Sequence, residues 1–272
     1  MPELPEVEIT RRGIEPHISG QQIIRVLVRN QQLRWPVPVA LEKTLTGVTI
    51  ESIGRRAKYL LFQTSKGTMI VHLGMSGSLH IAEAGDKISK HDHVELEFTN
   101  SRLLRLNDPR RFGSIHWTTS PGERHRLLRS VGPEPLSDTF CTDYLYRKSR
   151  NRKVAIKNFI MNSHIVAGIG NVYACESLFV AGIHPSRGAG HVSKPRYDRL
   201  LAAIKQVLQS AIKAGGSTLN DFVKPDGRPG YFQHHFSVYG KTGQSCGRCG
   251  SPIKQIALGQ RSTFYCGKCQ RF

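Results

Sequence analysis

Two tight cysteine pairs near the end of the chain, Cys246-Gly-Arg-Cys249 and Cys266-Gly-Lys-Cys269, restrict its folding more than any other feature. Sixteen residues separate the pairs, a spacing that fits four thiolates around one zinc ion. Sulfur fills every coordination position and leaves none for water, so the metal is expected to be structural. Gly247, Gly250 and Gly267 give the ligand turns their backbone freedom. The stretch between the pairs, IKQIALGQRSTFYC, reads as a β-hairpin carried by the metal. In an intracellular chain this paired pattern argues for metal and against disulfides. Cys141 and Cys175 stand apart and are expected to be buried free thiols.

A zinc-held hairpin accounts for only the last part of 272 residues. Upstream, Ile24, Val26 and Val28 alternate with polar neighbours, as do Val94, Leu96 and Phe98. Between and after them lie VTIESI, YLLFQ, TMIVHL, RLLRL and GSIHW, separated by Gly, Ser, Asn and Asp turns. Many short strands of this kind predict an antiparallel sandwich or barrel. A helix over about Pro5 to Pro16 precedes them, with proline and acids suiting its first turn. From about Asp138 the pattern turns helical. In SKPRYDRLLAAIKQVLQSAIKAGG, Ser193 caps, Pro195 opens, and Leu200, Ile204, Val207, Leu208 and Ala211 form one stripe before Gly215. Another helix follows GIGN, with Val172, Cys175, Leu178 and Phe179 on one face and Gly182 and Pro185 as its stop. The expected class is therefore α+β and multidomain: residues 1–117 a helix plus β-sandwich, 118–137 a linker, 138–236 a helical domain and 237–272 the zinc module.

Charge points to the partner. Lys and Arg total 39 against 20 Asp and Glu, a formal +19, which favours a polyanion, nucleic acid before an acidic membrane surface. No stretch is long and apolar enough to span a bilayer, and the start lacks a signal-peptide pattern, so a soluble cytoplasmic chain is expected. The basic run YRKSRNRKVAIK suits contact with a DNA backbone better than a merely solvated helix face. The turn GIGNVY admits two readings: a phosphate cradle at a helix N-terminus, with Asn171 as an added donor, or an ordinary N-cap asparagine between glycines. DPRRFG sets Arg110 and Arg111 beside Phe112, either a wedge for a base stack or an aromatic packed under a loop.

The opening, MPELPEVE, holds two residues that helix capping leaves unexplained, Pro2 and Glu3. If Met1 is removed, the Pro2 nitrogen becomes a terminal secondary amine. A terminal amine is roughly a tenth neutral at pH 7, against less than about 0.1% for lysine. A neutral amine is a carbon nucleophile that can form a Schiff base, and Glu3 stands beside it to handle a proton.

Taken together, PELPEVE, RRAKYLL, HLGMSGSL, KHDHV, DPRRFG, GIGNVYACESLF and QRSTFYCGKCQ resemble the bacterial formamidopyrimidine-DNA glycosylases, also called 8-oxoguanine DNA glycosylases. The match runs from Pro2 to Phe272. Leu4 favours the purine-damage branch over the related endonuclease VIII branch, which reads PEGPE. The resemblance implies a base-excision repair enzyme that flips a damaged nucleotide from duplex DNA, removes its base and nicks the strand as an AP lyase. It implies Pro2 as nucleophile, Glu3 as acid, Glu6 close by in the pocket, Lys58 in β-elimination and Arg261 in phosphate grip and δ-elimination. His91, Arg110, Arg152, Lys157 and Asn171 become DNA contacts. Met75, Arg110 and Phe112 become the trio that fills the void left by the flipped nucleotide. The helices around GIGN become a helix–two-turns–helix element, and residues 217–239 a loop that closes over the base. Cys246, Cys249, Cys266 and Cys269 hold one Zn2+, and the working partner is damaged double-stranded DNA, bound by a monomer without a membrane. The competing possibilities are a glycosylase of the same fold acting on oxidised pyrimidines, and a non-catalytic zinc protein that binds DNA.

Overall fold

The computed structural model describes residues 1–217 and 236–272, and its chain divides into two compact units. The first holds residues 1–130 and, beyond the helical region, 214–217. Its helix α1 spans Leu4–Ile18, longer than expected at both ends. It continues past Pro16, whose missing N–H forfeits only one backbone bond so close to the terminus. Eight strands follow: β1 Ile23–Val28, then, beyond the short helix α2 (Leu41–Leu45), β2 Ser52–Arg56, β3 Tyr59–Thr64, β4 Gly67–His72, β5 Ser78–Glu83, β6 Asp92–Phe98, β7 Arg102–Asn107 and β8 Ser114–Thr118. They form two antiparallel sheets ordered β1-β6-β7-β5 and β2-β3-β4-β8. Val26, Leu96, Phe98, Leu104 and Leu106 of one sheet share a core with Leu60, Phe62, Met69, Val71 and Ile115 of the other. Val7, Ile14 and Ile18 of α1 join that core, so the N-terminal helix is fixed to the sandwich along its length.

One strand departs from the sequence pattern. Ile24 is 47% exposed while Ile23 is buried, because the pairing of β1 with β6 shifts between Ile23 and Arg25. A bulge there changes the inward phase by one residue. On the outer face of the same sheet, Glu95 is buried between Arg105 (2.6 Å) and Arg29 (3.2 Å).

The second unit holds residues 131–213 and 236–272. It comprises α3 Thr142–Ser149, α4 Ile156–Met161, α5 Asn171–Ala181, α6 Lys194–Lys213 and a hairpin of β9 Ile253–Leu258 with β10 Arg261–Cys266. Helix α6 buries its stripe of Leu200, Ile204, Val207, Leu208 and Ala211, as the periodicity predicts. Helix α5 does not keep one face free. It is buried nearly all round, including Glu176 and Ser177, because the zinc module covers its second side through Cys175 and Phe179 against Val238, Ile253 and Phe264. Buried Glu176 is compensated by backbone: it accepts from the N–H groups of Ser237 (2.8 Å), Val238 (3.0 Å) and Tyr239 (2.8 Å). Gly182, at φ +67°, ends the helix in the left-handed region.

Cys175 is buried as expected, whereas Cys141 is exposed, since it occupies the cap position in front of α3 rather than the packed face. Of residues 217–239, expected to form the loop over the base, 218–235 lie outside the described residues.

Candidate active site and zinc-held hairpin

In the first unit the site is built on the N-terminus of α1. Pro2 and Glu3 are both buried. Glu3 caps the helix in a reciprocal box with Glu6, whose Oε2 accepts from the Glu3 N–H at 2.9 Å. The other Glu6 oxygen, Oε1, accepts from Ser217 twice, from its N–H at 2.9 Å and its hydroxyl at 2.8 Å. Gly216 makes this approach possible: it sits at φ +78°, and a Cβ there would lie 3.1 Å from Ile9. Glu6 therefore ties the N-terminal helix to residues 216–217, a role that the sequence alone did not suggest.

Lys58 is the second of two residues linking β2 to β3, where Arg56 pairs with Tyr59. Facing it is His72, across from Tyr59 in the β3–β4 ladder. Burial, and then the positive charge of Lys58 and Arg34, push His72 down to about 4. Its Nδ1 accepts from the Gly74 N–H at 3.0 Å, which leaves the proton of the neutral ring on Nε2 as a donor. The sequence alone does not single out His72, because what marks it is the β3–β4 register that sets it across from Tyr59.

Two loops then meet. Asp108, fully buried, accepts from the Ser76 hydroxyl at 2.8 Å and the Gly113 N–H at 2.7 Å, and its carbonyl meets His93 at 2.9 Å. Gly74, at φ +65°, crosses so close to Phe112 that a Cβ would fall 2.3 Å from its carbonyl carbon. This crossing sets Met75, which follows Gly74, near Arg110 and Phe112. Arg110 stacks on the Phe112 ring at 4.9 Å, and Phe112 remains 41% exposed. An exposed ring on a buried scaffold favours the wedge over the packed-aromatic alternative. His91 joins the same region: its carbonyl accepts from the Asp108 N–H at 3.0 Å, and its ring lies 6.1 Å from His93.

The second unit carries a separate cluster around the hairpin tip. Gly259 and Gln260 both adopt positive φ, +55° and +59°, the geometry of a tight two-residue turn. Arg261 follows immediately and is exposed. Three contacts anchor the hairpin to α4 and α5. Asn171 donates to the Ser262 carbonyl at 2.9 Å, Lys157 donates to the Thr263 hydroxyl at 2.6 Å, and Gly259 packs so closely on Asn158 that a Cβ would lie 2.9 Å from its amide nitrogen. Asn171 is not the N-cap, a place taken by Gly170, so it is free to reach sideways to the hairpin. Lys157 is fully buried. The resemblance makes it a DNA contact, and the structure sets its ammonium beneath the hairpin, against the Thr263 hydroxyl. The basic run divides in the same way: Arg150 donates to the carbonyls of Tyr146, Gly190 and Val192, while Arg152 stays exposed.

At the far end of the hairpin the four thiols of Cys246, Cys249, Cys266 and Cys269 lie within 4.8 Å of one another. Two of the separations are 3.9 and 3.4 Å. A tetrahedron with Zn–S bonds of about 2.3 Å needs sulfurs about 3.8 Å apart, so these residues fit one structural zinc ion.

An acid-capped helix on a sandwich in one unit, and a thiolate-stapled hairpin anchored to α4 and α5 in the other, define a two-unit zinc-finger protein. Comparison with known proteins narrows the class. Residues 1–115 match the formamidopyrimidine-DNA glycosylase N-terminal domain, 131–223 the H2TH domain of the same proteins and 243–271 the zinc finger found in FPG and IleRS. The chain is 54% identical to the formamidopyrimidine-DNA glycosylase of Thioalkalivibrio sulfidiphilus and 53% identical to that of Pseudomonas aeruginosa, covering 100% of each chain. Among solved structures it is similar to the Lactococcus lactis enzyme bound to AP-site DNA, with a TM-score of 0.90, 35% identity and full coverage of both chains. It is also similar to the Thermus thermophilus enzyme, with a TM-score of 0.88, 35% identity and coverage of 99% and 98%. The chain belongs to the formamidopyrimidine-DNA glycosylase family.

Proposed function

We infer that this chain is a base-excision repair enzyme that removes oxidised purines from duplex DNA and then nicks the strand as an AP lyase. The observation that carries the reading is the N-terminus of α1, where Pro2 is buried directly in front of the Glu3–Glu6 capping box. Once Met1 is gone, the lone pair of the Pro2 nitrogen attacks C1′ of the flipped nucleotide. The C1′–N9 bond breaks and the base leaves with a proton. Glu3 delivers a proton to O4′ as the sugar ring opens, and a C1′ iminium forms on Pro2.

Lys58 then serves the elimination steps. In its neutral amine form it takes the proton from C2′ and becomes an ammonium, and the 3′ phosphate leaves with the C3′–O bond electrons. His72 beside it offers Nε2–H to a phosphate oxygen. Met75, Arg110 and Phe112 fill the space of the extruded nucleotide, which offsets a few kcal/mol of lost stacking, while His91 and Arg152 contact the backbone. In the second unit Arg261 grips phosphate through its fork and assists δ-elimination. Asn171 keeps a second amide N–H for phosphate, and Lys157 holds the hairpin that presents Arg261. Zinc, when bound, supplies no chemistry beyond fixing the turns at the base of that hairpin. The enzyme works as a monomer on cytoplasmic DNA.

Borohydride reduction tests the reading. It is expected to trap the protein covalently on duplexes carrying 8-oxoguanine, with the link mapped to Pro2, and more efficiently than on duplexes carrying oxidised thymine. A link to a lysine, or trapping only on the pyrimidine lesion, would overturn it.

A further inference from the structure

Glu8, one turn beyond the capping box, has no part in the chemistry above, yet it is among the most heavily engaged carboxylates of the first unit. Its Oε1 accepts from Arg11 Nη2 at 3.0 Å and Arg12 Nε at 2.7 Å. Its Oε2 accepts from Arg11 Nε at 3.3 Å and from Arg55 Nε at 3.1 Å. Burial alone would push this carboxyl up, but the guanidinium groups of Arg11, Arg12 and Arg55 outweigh it and hold it down at about 2. The group is therefore charged at every pH at which the protein works.

Arg55 carries the contact onward. While its Nε is held by Glu8, its Nη1 donates to the Ala57 carbonyl at 2.9 Å. That carbonyl belongs to the peptide whose N–H is that of Lys58. Ala57 is buried and sits at φ +54°, the left-handed region that an L-residue with a Cβ rarely adopts. Such a backbone persists only where its surroundings over-determine it. Arg55 fixes the orientation of the peptide plane, and Glu8 fixes Arg55 to the helix that begins at Pro2 and Glu3.

We propose that Glu8 and Arg55 are positioning residues, a two-link clamp that holds the Ala57–Lys58 peptide, and with it the Lys58 amino group, in register with the N-terminus of α1. The proposal rests on the assignment of Lys58 to β-elimination. A clamp of this kind matters to the step that uses Lys58 and not to the step that uses Pro2, and this separates it from a contact that merely fastens α1 to β2. Arg11 already does such fastening, through the Ile53 carbonyl at 3.3 Å.

The test uses the full-length protein with three variants, Arg55→Lys, Glu8→Gln and Lys58→Met, and two readouts under single turnover. The first is the borohydride-trapped fraction on 8-oxoguanine DNA, and the second is the rate of strand scission at a preformed abasic site. Lysine at 55 keeps the charge but cannot reach both Glu8 and the Ala57 carbonyl. The expected result for Arg55→Lys and Glu8→Gln is trapping within about twofold of the parent and scission slowed by about ten- to a hundredfold, the scale of an ångström-level misplacement. Parallel losses in both readouts, or no loss in either, would overturn the clamp and leave the pair as fastening for α1. Undiminished scission by Lys58→Met would instead overturn the role of Lys58 itself. Thermal melts of each variant show whether a loss follows from unfolding, and because Glu8→Gln alters only one atom type, it keeps the test decisive if Arg55→Lys is unstable.

Discussion

Replacing Glu176 with Gln should loosen the zinc module without touching a cysteine. The carboxylate is 3% exposed and accepts three backbone N–H groups, at 2.8, 3.0 and 2.8 Å. In Gln, one oxygen can still serve Val238 and Tyr239, but the amide nitrogen then faces the Ser237 N–H, donor against donor. A hydrogen bond to a charged group is worth about 1.5–3 kcal/mol net, and a buried donor left unsatisfied costs about 1–3 kcal/mol. Losing one such bond and orphaning one donor therefore amounts to about 2.5–6 kcal/mol. At roughly 2–4 °C per kcal/mol for a chain of this size, the melting temperature should fall by about 5–24 °C. Val238 and Tyr239 pack under the hairpin, with Tyr239 edge-on to Phe264 at 4.9 Å, so zinc should also pass more quickly to a chelator. Glu176→Asp is the control: it keeps the charge but is one methylene too short to reach all three donors, and should fall between the two. Thermal unfolding and chelator-driven zinc release measure both effects. A shift under about 2 °C with unchanged zinc release would refute the claim that this carboxylate anchors the module.

Cys249→Ser should release zinc, which small metal modules commonly need in order to fold, and abolish incision while leaving the sandwich intact, as metal analysis and circular dichroism would show. Arg261→Ala should keep the zinc yet lose strand cleavage, and Arg261→Lys should restore only part of it, because lysine keeps the charge without the fork. Phe112→Ala should slow base removal from intact lesion duplex more than scission at an abasic site, since an abasic site has less to unstack; equal losses would favour packing over wedging. Acidification should weaken the fold in two windows, the lower one through Glu8 and the upper one through His72 together with His116, which burial lowers to about 4 as well. Glu8, lowered from 4.5 to about 2, contributes stability present above about pH 4.5 and lost as pH falls toward 2. His72, lowered from 6.5 to about 4 by burial first, is held neutral in the fold and destabilises it as pH falls from 6.5 toward 4. Urea midpoints at pH 7, 5 and 3 would follow both, and Glu8→Gln should flatten the lower window.

Elements with strong local patterning were legible in the sequence. The α6 stripe, the zinc hairpin and most strands follow from periodicity and cysteine spacing, which depend on near neighbours alone. What stayed hidden depends on partners far along the chain. The inward phase of β1 turned on a bulge against β6 that no residue of β1 announces. Burial of α5 on every side could not be read from a helix whose second cover arrives only with Val238 and the hairpin. Lys157 illustrates the same limit for the site: a lysine in a basic run reads as a DNA contact, and only the folded hairpin shows that its ammonium meets Thr263, 106 residues later. The Glu6–Ser217 contact likewise joins residues 211 apart. Local chemistry names the groups, and tertiary contacts decide which of them face a substrate.

The hairpin also behaves as a ruler. Its origin is the thiolate cluster, its mark is Arg261, and five strand residues of about 3.4 Å each separate them, a reach of roughly 17 Å. A single insertion between Arg261 and Cys266 would turn the guanidinium to the opposite side of the ribbon, and two would carry it some 7 Å too far while pulling Thr263 off Lys157. Exchanges of side chain within β9 and β10 leave that measurement unchanged. Diversity introduced into this segment at positions other than Arg261, Thr263 and Cys266 should consequently be tolerated as replacement and rejected as change of length, even where the added residues are themselves good strand formers.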